Sequence, residues 1–345
     1  MTVLRELNKF GVVLAVTIAA VVLTNKAVIA QQPTTLAGVV RAAEPMRVGE
    51  SLVSNEPTVG SSLVYSNCAS PDCGMCCKQH AKSQRLTCRS FLFPWPCQDA
   101  ADLRLDLCDP LVTDRPDFTE ASSTVGRGVT QFELGYTYFS DQANGTRTQS
   151  HSYPEVLLRQ GVFRDWLELR VAYNAASVNN GITTVNGSED LYIGAKIGLT
   201  PQDGWLPEMS ILPQATLDTG SAAFTDGQAL FGTNWLYSWE INDSLSLAGS
   251  TQFNRTLDSG SGKEYTQWAQ SIASGKSITD EVGCYLEWYA FFPDNADTDG
   301  VEHYLNGGFT YLISENIQWD IRAGFGLNEE AEDFLTGTGL SIRFR

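Results

Sequence analysis

From Val129 to the end of the chain, apolar and polar residues alternate. Phe132, Leu134, Tyr136 and Tyr138 share one face, and Gln131, Glu133, Gly135 and Thr137 share the other. The same period returns near the end, where Ile317, Trp319, Ile321, Ala323, Phe325 and Leu327 alternate with Gln318, Asp320, Arg322, Gly324 and Gly326. A period of two is that of a β-strand. In a soluble sandwich it separates core from water, and in a transmembrane barrel it separates lipid from lumen. The periodic stretches predict twelve strands, at 129–139, 151–163, 165–175, 189–199, 208–219, 228–241, 244–256, 264–275, 278–292, 301–313, 315–327 and 335–344. The connections distinguish the two folds. Those after the second, sixth, eighth and tenth strands are tight, at Arg164, Asn242-Asp243, Lys276-Ser277 and Ser314. Those after the odd-numbered strands are longer and polar, among them SDQANGTRTQS, ASVNNGITTVNGS, DSGSGKE, PDNADTDG and NEEAEDF. TPQDGWLP at 200–207 breaks the short series. Short turns at one end and long loops at the other are the pattern of outer-membrane barrels. The expected fold is all-β, an antiparallel transmembrane β-barrel of about 12 strands with both of its ends on the periplasmic side.

The first third of the chain does not alternate. Arg5 and Lys9 precede an apolar run that ends at Leu23, and small residues follow to Ala30. That order predicts a signal peptide over 1–30, cut before Gln31; the alternative is an uncleaved anchor helix. No Cys follows the cut, so a lipid-modified N-terminus is not expected. Residues 31–66 are polar with scattered small side chains and predict a low-order linker. The span 67–112 carries Cys68, Cys73, Cys76, Cys77, Cys88, Cys97 and Cys108. In an exported chain that density points to a disulfide module, with one thiol left over. The alternative is a metal site at Cys73, Cys76 and Cys77 with His80. Cys284 stands apart, in phase with Val282, Leu286, Trp288 and Phe292, on the face expected to meet lipid. The formal net charge is −17, and about −19 once Arg5, Glu6, Lys9 and Lys26 leave with the signal peptide. So acidic a chain without a basic stripe does not bind nucleic acid.

Between the two regions lies TDRPDFTEASSTVGRG, at 113–128. DRPDFTE, then TVGRG, then the alternating QFELGY strand resembles the opening of the MetA-pathway of phenol degradation family. Its members are outer-membrane barrels labelled as transporters. The resemblance covers 113–345 and implies an outer-membrane β-barrel that passes small solutes, hydrophobic or aromatic ones among them. Its alternatives are a structural or adhesive barrel, with the Cys module as interaction domain, and a barrel hydrolase. Asp114, Arg115, Asp117 and Arg127 make the segment charged. Placed in the periplasmic mouth of the lumen they need partners, since an unpaired buried charge is costly. The inward faces offer Arg170, Arg322 and Arg343 for the acids and Glu133, Glu168 and Asp320 for the arginines. Glu155, Arg159, Lys196, Glu240 and Glu287 share those faces.

No catalytic, cofactor or metal site is expected. The barrel half contains two histidines: His151 is in phase with inward Glu155, and His303 with the lipid face. Asp294, Asp297 and Asp299 have cation-binding spacing but lack the later Glu of a full loop. The final strand brings Phe344 close to the end, which resembles the signal read by the barrel assembly machinery, although Arg345 follows it. Expected partners are outer-membrane lipid, that machinery and a small solute. N-terminal sequencing of the purified protein should begin at Gln31, and mass mapping of the oxidised protein should find Cys284 unpaired with any other cysteine.

Overall fold

The computed structural model describes residues 110–143 and 145–344. The signal peptide (1–30), the linker (31–66) and the seven cysteines from Cys68 to Cys108 fall outside the described residues. Thirteen strands follow one another: β1 (Thr130–Ala143), β2 (Thr146–Gly161), β3 (Leu167–Asn179), β4 (Thr184–Ser188), β5 (Leu191–Thr200), β6 (Glu208–Leu217), β7 (Leu230–Asn242), β8 (Leu245–Leu257), β9 (Glu264–Ser277), β10 (Val282–Asp294), β11 (Glu302–Ser314), β12 (Ile317–Gly326) and β13 (Phe334–Phe344). Consecutive strands pair antiparallel, except β4 with β5. β1 also pairs with β13, from Thr130↔Phe344 to Ser140↔Phe334, so the sheet closes on itself. β3 pairs with β5 as well as with the short β4, which leaves β4 as a flap and twelve strands in the wall. Closure removes the sheet edges, the condition for a β-structure in lipid.

The wall is turned inside out relative to a soluble protein. Its fully buried side chains include Arg159, Lys196, Glu133, Glu168 and Asp320, each 0% exposed. Phe132, Leu169, Val171, Ile193, Trp235, Phe309, Trp319, Ile321 and Phe325 are exposed. An apolar outer band around a polar interior is the lipid-facing barrel arrangement. Trp319 and Ile321 alternate with Asp320 and Arg322 as the sequence period demands. Cys284 lies partly buried and unbonded.

Two polar loops read from the sequence are strand. β1 and β2 run through most of SDQANGTRTQS and turn at Gly145, whose φ of 80° suits glycine. β3 continues to Asn179, and the Asn180 side chain caps the turn into β4 by accepting the Ile182 and Thr183 N–H groups. Both hairpins rise beyond the apolar band, where the apolar alternation that marks a membrane strand has no physical cause. At 200–207 the irregular connection holds a tight turn bridged between Asp203 and Leu206.

One phase assignment is corrected. His151 pairs with Tyr138, and its Nδ1 lies 2.8 Å from the Tyr136 hydroxyl, on the lipid face. β2 is bulged between Tyr153 and Val156, which separates the phase of His151 from that of inward Glu155. His303 stacks on Trp288 at 5.8 Å, so neither histidine faces the lumen.

Phe309 sits mid-strand on the outer face, 54% exposed. Phe309→Arg should cost about 2–4 kcal/mol in urea unfolding from lipid vesicles, because a cation near mid-bilayer loses its hydration. Phe309→Leu should be close to neutral.

Candidate functional site

The segment 110–128 enters the barrel at the short-turn end, climbs inside, turns at Phe118 and descends to β1. Each stage is fixed by the wall. The Leu111 N–H donates to the Glu315 carbonyl at the β11–β12 turn (2.9 Å), and the Gly128 N–H to the Gly161 carbonyl at the end of β2 (3.0 Å). The strap so formed has no helix or strand of its own. Its main-chain groups therefore need side-chain partners. Glu133 accepts the N–H groups of Asp114 and Arg115 at 3.1 Å each. Glu287 accepts those of Phe118 (2.8 Å) and Thr119 (2.7 Å). Glu168 accepts that of Val125 (2.9 Å).

Asp114 is the hub of the ascending limb. Its carboxylate meets Arg170 Nη2 at 2.6 Å, Lys196 Nζ at 3.1 Å and Arg159 Nη1 at 3.4 Å, and accepts the Ala121 N–H at 2.9 Å. The last contact ties the two limbs together. Burial opposes ionisation of Asp114, but the charges of Arg159, Arg170 and Lys196 outweigh it and hold the carboxyl well below its ordinary range. The cations are anchored in turn. Arg159 reaches Glu168 at 2.8 Å and Glu133 at 3.1 Å, Arg170 reaches Glu120 at 2.8 Å, and Lys196 donates to the Ala121 carbonyl at 2.6 Å.

Arg115 turns to the adjoining arc of the wall formed by β2, β1, β13 and β12. It pairs with Glu155 at 2.7 Å and Asp320 at 3.3 Å and donates to the Thr338 carbonyl at 3.1 Å. Its guanidinium lies in a slot made by two paired glycines, Gly135 and Gly339. A β-carbon on either would overlap it. Arg322 Nη1 donates to the Pro116 carbonyl at 2.8 Å. Asp117, next in the chain, shares the electrostatic field of Glu287 and Arg322. Above the apex lies an aromatic cluster of Tyr289, Tyr304 and Phe291, against which Phe118 packs.

The sequence of the barrel half, residues 113–344, matches the family described as "Putative MetA-pathway of phenol degradation". The chain belongs to this family. No curated protein sequence matches it. Among solved structures, it is similar to the COG4313 outer-membrane channel from Pseudomonas putida F1, at 13% identity and a TM-score of 0.52, over 65% of this chain and 98% of that one. The translocator domain of the autotransporter NalP from Neisseria meningitidis is a more distant likeness, at 10% identity and a TM-score of 0.42, over 64% of this chain and 89% of that one. At such identities the likeness is one of fold. The protein is thus a transmembrane β-barrel of the MetA-pathway family.

In this MetA-pathway barrel the pairing differs in part from the sequence reading. Asp114 meets Arg170, and Arg115 meets Asp320. Glu133 and Glu168, read as partners for strap arginines, instead serve Arg159 and strap N–H groups. Arg127 is exposed, and its backbone N–H donates to Asp165 at 3.1 Å, so it stands at the rim rather than in the lumen. A glycine on each side, Gly126 and Gly128, carries the chain out of the mouth there with φ of 86° and 78°. Arg343 donates to Asn316 Oδ1 at 2.9 Å and to the Glu315 carbonyl at the periplasmic turn. The aromatic cluster leaves no signal in the sequence, because its rings come from the strap, β10 and β11.

Asp114→Ala leaves three buried cations short of an anion and should destabilise the barrel by about 3–5 kcal/mol in urea unfolding. The depressed Asp114 carboxyl stabilises the docked strap at every pH above its unfolded value of about 3.9, and that contribution fades as the pH falls toward the folded value. Protection of the strap from protease should therefore hold from pH 8 to pH 5 and fall only in strong acid.

Proposed function

We propose that this barrel is a passive outer-membrane channel for small solutes, hydrophobic or aromatic ones among them, narrowed from the periplasmic side by the strap. The observation that carries the reading is the docking of residues 113–128 inside the lumen, through ion pairs to β2, β3, β5 and β12 and hydrogen bonds to Glu287 of β10 on the facing arc. A segment with no regular structure, held along its length mainly by side chains of the wall, is a natural constriction. It occupies the conduction path, and its attachment is separate from the hydrogen bonds that close the barrel. Loops positioned by a rigid scaffold commonly carry function. The description of the family supports an aromatic solute class.

The strap joins Asp114 to β2, β3 and β5, and Arg115 to β2 and β12. Spanning the lumen in this way, it divides the cross-section of a twelve-stranded barrel. Barrels of that size leave room for a narrow pore or a plug rather than a wide channel. Charged and polar groups on the lumen walls set which solutes pass.

Single-channel recording in planar bilayers tests the reading. Arg115→Ala frees the strap from the β12 side and should raise conductance severalfold, with loss of about 3 kcal/mol of stability from stranding Glu155 and Asp320. Deletion of 113–120 should open the pore further. A folded, inserted barrel that stays silent in all three forms, or equal conductance in the wild type and the deletion, overturns it.

A further inference from the structure

Polar side chains dominate the lumen of this barrel, but one part of it is aromatic. Tyr289, Tyr304, Ala331 and Leu335 form a buried apolar cluster, and Phe118, Phe139 and Phe291 pack against it. Within it three rings are stacked in series. Phe118 lies on Tyr289 with centroids 4.6 Å apart and planes 13° from parallel. Tyr289 lies on Tyr304 at 4.7 Å and 14°. Phe291 stands edge-on to Phe118 at 5.3 Å and 86°. These are the favoured offset-stacked and edge-to-face arrangements of aromatic rings.

Two of the stacked rings belong to the wall, on paired positions of β10 and β11. The third does not. Phe118 stands at the apex of the strap, between the polar residues Asp117 and Thr119. It is held in place by its own N–H and that of Thr119 on the Glu287 carboxylate. Strand pairing and the lipid-facing band hold the barrel together, and neither requires an apolar stack in the lumen. The stack runs from the strap toward the outer mouth, where the Tyr304 hydroxyl bonds Glu302 at 2.9 Å and also Glu332 of the β12–β13 loop.

We propose that the face of Tyr289, with Tyr304 stacked behind it and Phe291 at its edge, forms a binding subsite for a flat, uncharged, single-ring aromatic molecule, and that Phe118 is its tethered occupant. This inference rests on the channel reading and adds a ligand and a competitor to it. A ring on a short tether competes as though present at about millimolar concentration. Free solute therefore enters the subsite when its own concentration is comparable or when the strap withdraws. Arrival of solute and release of the strap are then coupled: each ring that enters disfavours the docked strap, and each release of the strap opens the subsite.

The probes are phenol and cyclohexanol, which match in size and hydroxyl but differ in the π-system. Their binding to the full-length protein in detergent is measured by ligand-observed NMR, with assembly checked by heat-modifiable gel mobility. Phe118→Ala should bind phenol roughly tenfold more tightly than the wild type, because its competitor is gone. It should prefer phenol to cyclohexanol by roughly threefold to tenfold, the range expected of one aromatic pair. Adding Tyr289→Leu should abolish that preference. Equal binding of the two alcohols by Phe118→Ala marks a mere cavity and overturns the proposal, as does a preference that survives Tyr289→Leu. Where Phe118→Ala fails to assemble, Phe118→Leu replaces it: a gain in phenol binding over the wild type supports the subsite, and no gain overturns it. A barrel that binds phenol in this assay but conducts nothing in bilayers overturns the channel reading alone. One that conducts without preferring phenol overturns the subsite alone.

Discussion

A charge taken out of water must find its opposite, and the interior of this barrel is arranged around that requirement. Asp114 is the point where it is most concentrated. One carboxylate answers Arg159, Arg170 and Lys196, which come from β2, β3 and β5. Without the strap those three cations would stand side by side on adjacent strands with Glu168 and Glu133 as their main counter-charges. The strap is in this sense part of the wall's electrostatics, although it forms no strand of the sheet. A network of this kind adds little net stability over an apolar core, but it is unforgiving of partial loss. It favours one docked geometry over many loose ones.

The same requirement explains the glycines at the Arg115 site. The guanidinium reaches Asp320 and the Thr338 carbonyl only by lying close against the sheet. That approach is possible because Gly135 and Gly339 face each other across the β1–β13 seam without side chains. The seam that closes the barrel is thus also the surface that receives the strap. The aromatic stack sits on the far side of the apex. Polar anchoring below and ring stacking above meet in three consecutive residues, Asp117, Phe118 and Thr119.

The sequence told more about the wall than about its contents. Period-two alternation is a direct consequence of lipid on one side and a lumen on the other, so strands such as β12 were legible residue by residue. β4 and the outer ends of β1, β2 and β3 were not, since they stand above the apolar band and their alternation has nothing to sort. His151 was misplaced because counting phase assumes an unbroken strand, and the bulge between Tyr153 and Val156 breaks it. The charged strap was legible as a segment needing partners, but its pairing was not. Glu133 is close in sequence to the strap and was read as a partner for an arginine side chain. In the fold it accepts N–H groups instead, because an irregular chain leaves its main chain unsatisfied. Phe118 gave no signal at all: a single aromatic in a polar segment acquires meaning only from rings nearly two hundred positions away.

That separation in sequence bears on how the molecule is made. The strap precedes β1, yet its partners lie on β2, β3, β5, β10 and β12, and its Arg115 slot needs β13 as well. The N-terminal segment is synthesised first but can settle only after the last strand has closed on the first. Docking is therefore a late event in assembly, and an open or misregistered barrel lacks the complete seat. A docked strap is in that respect a record of closure, since its seat exists only where β13 has met β1.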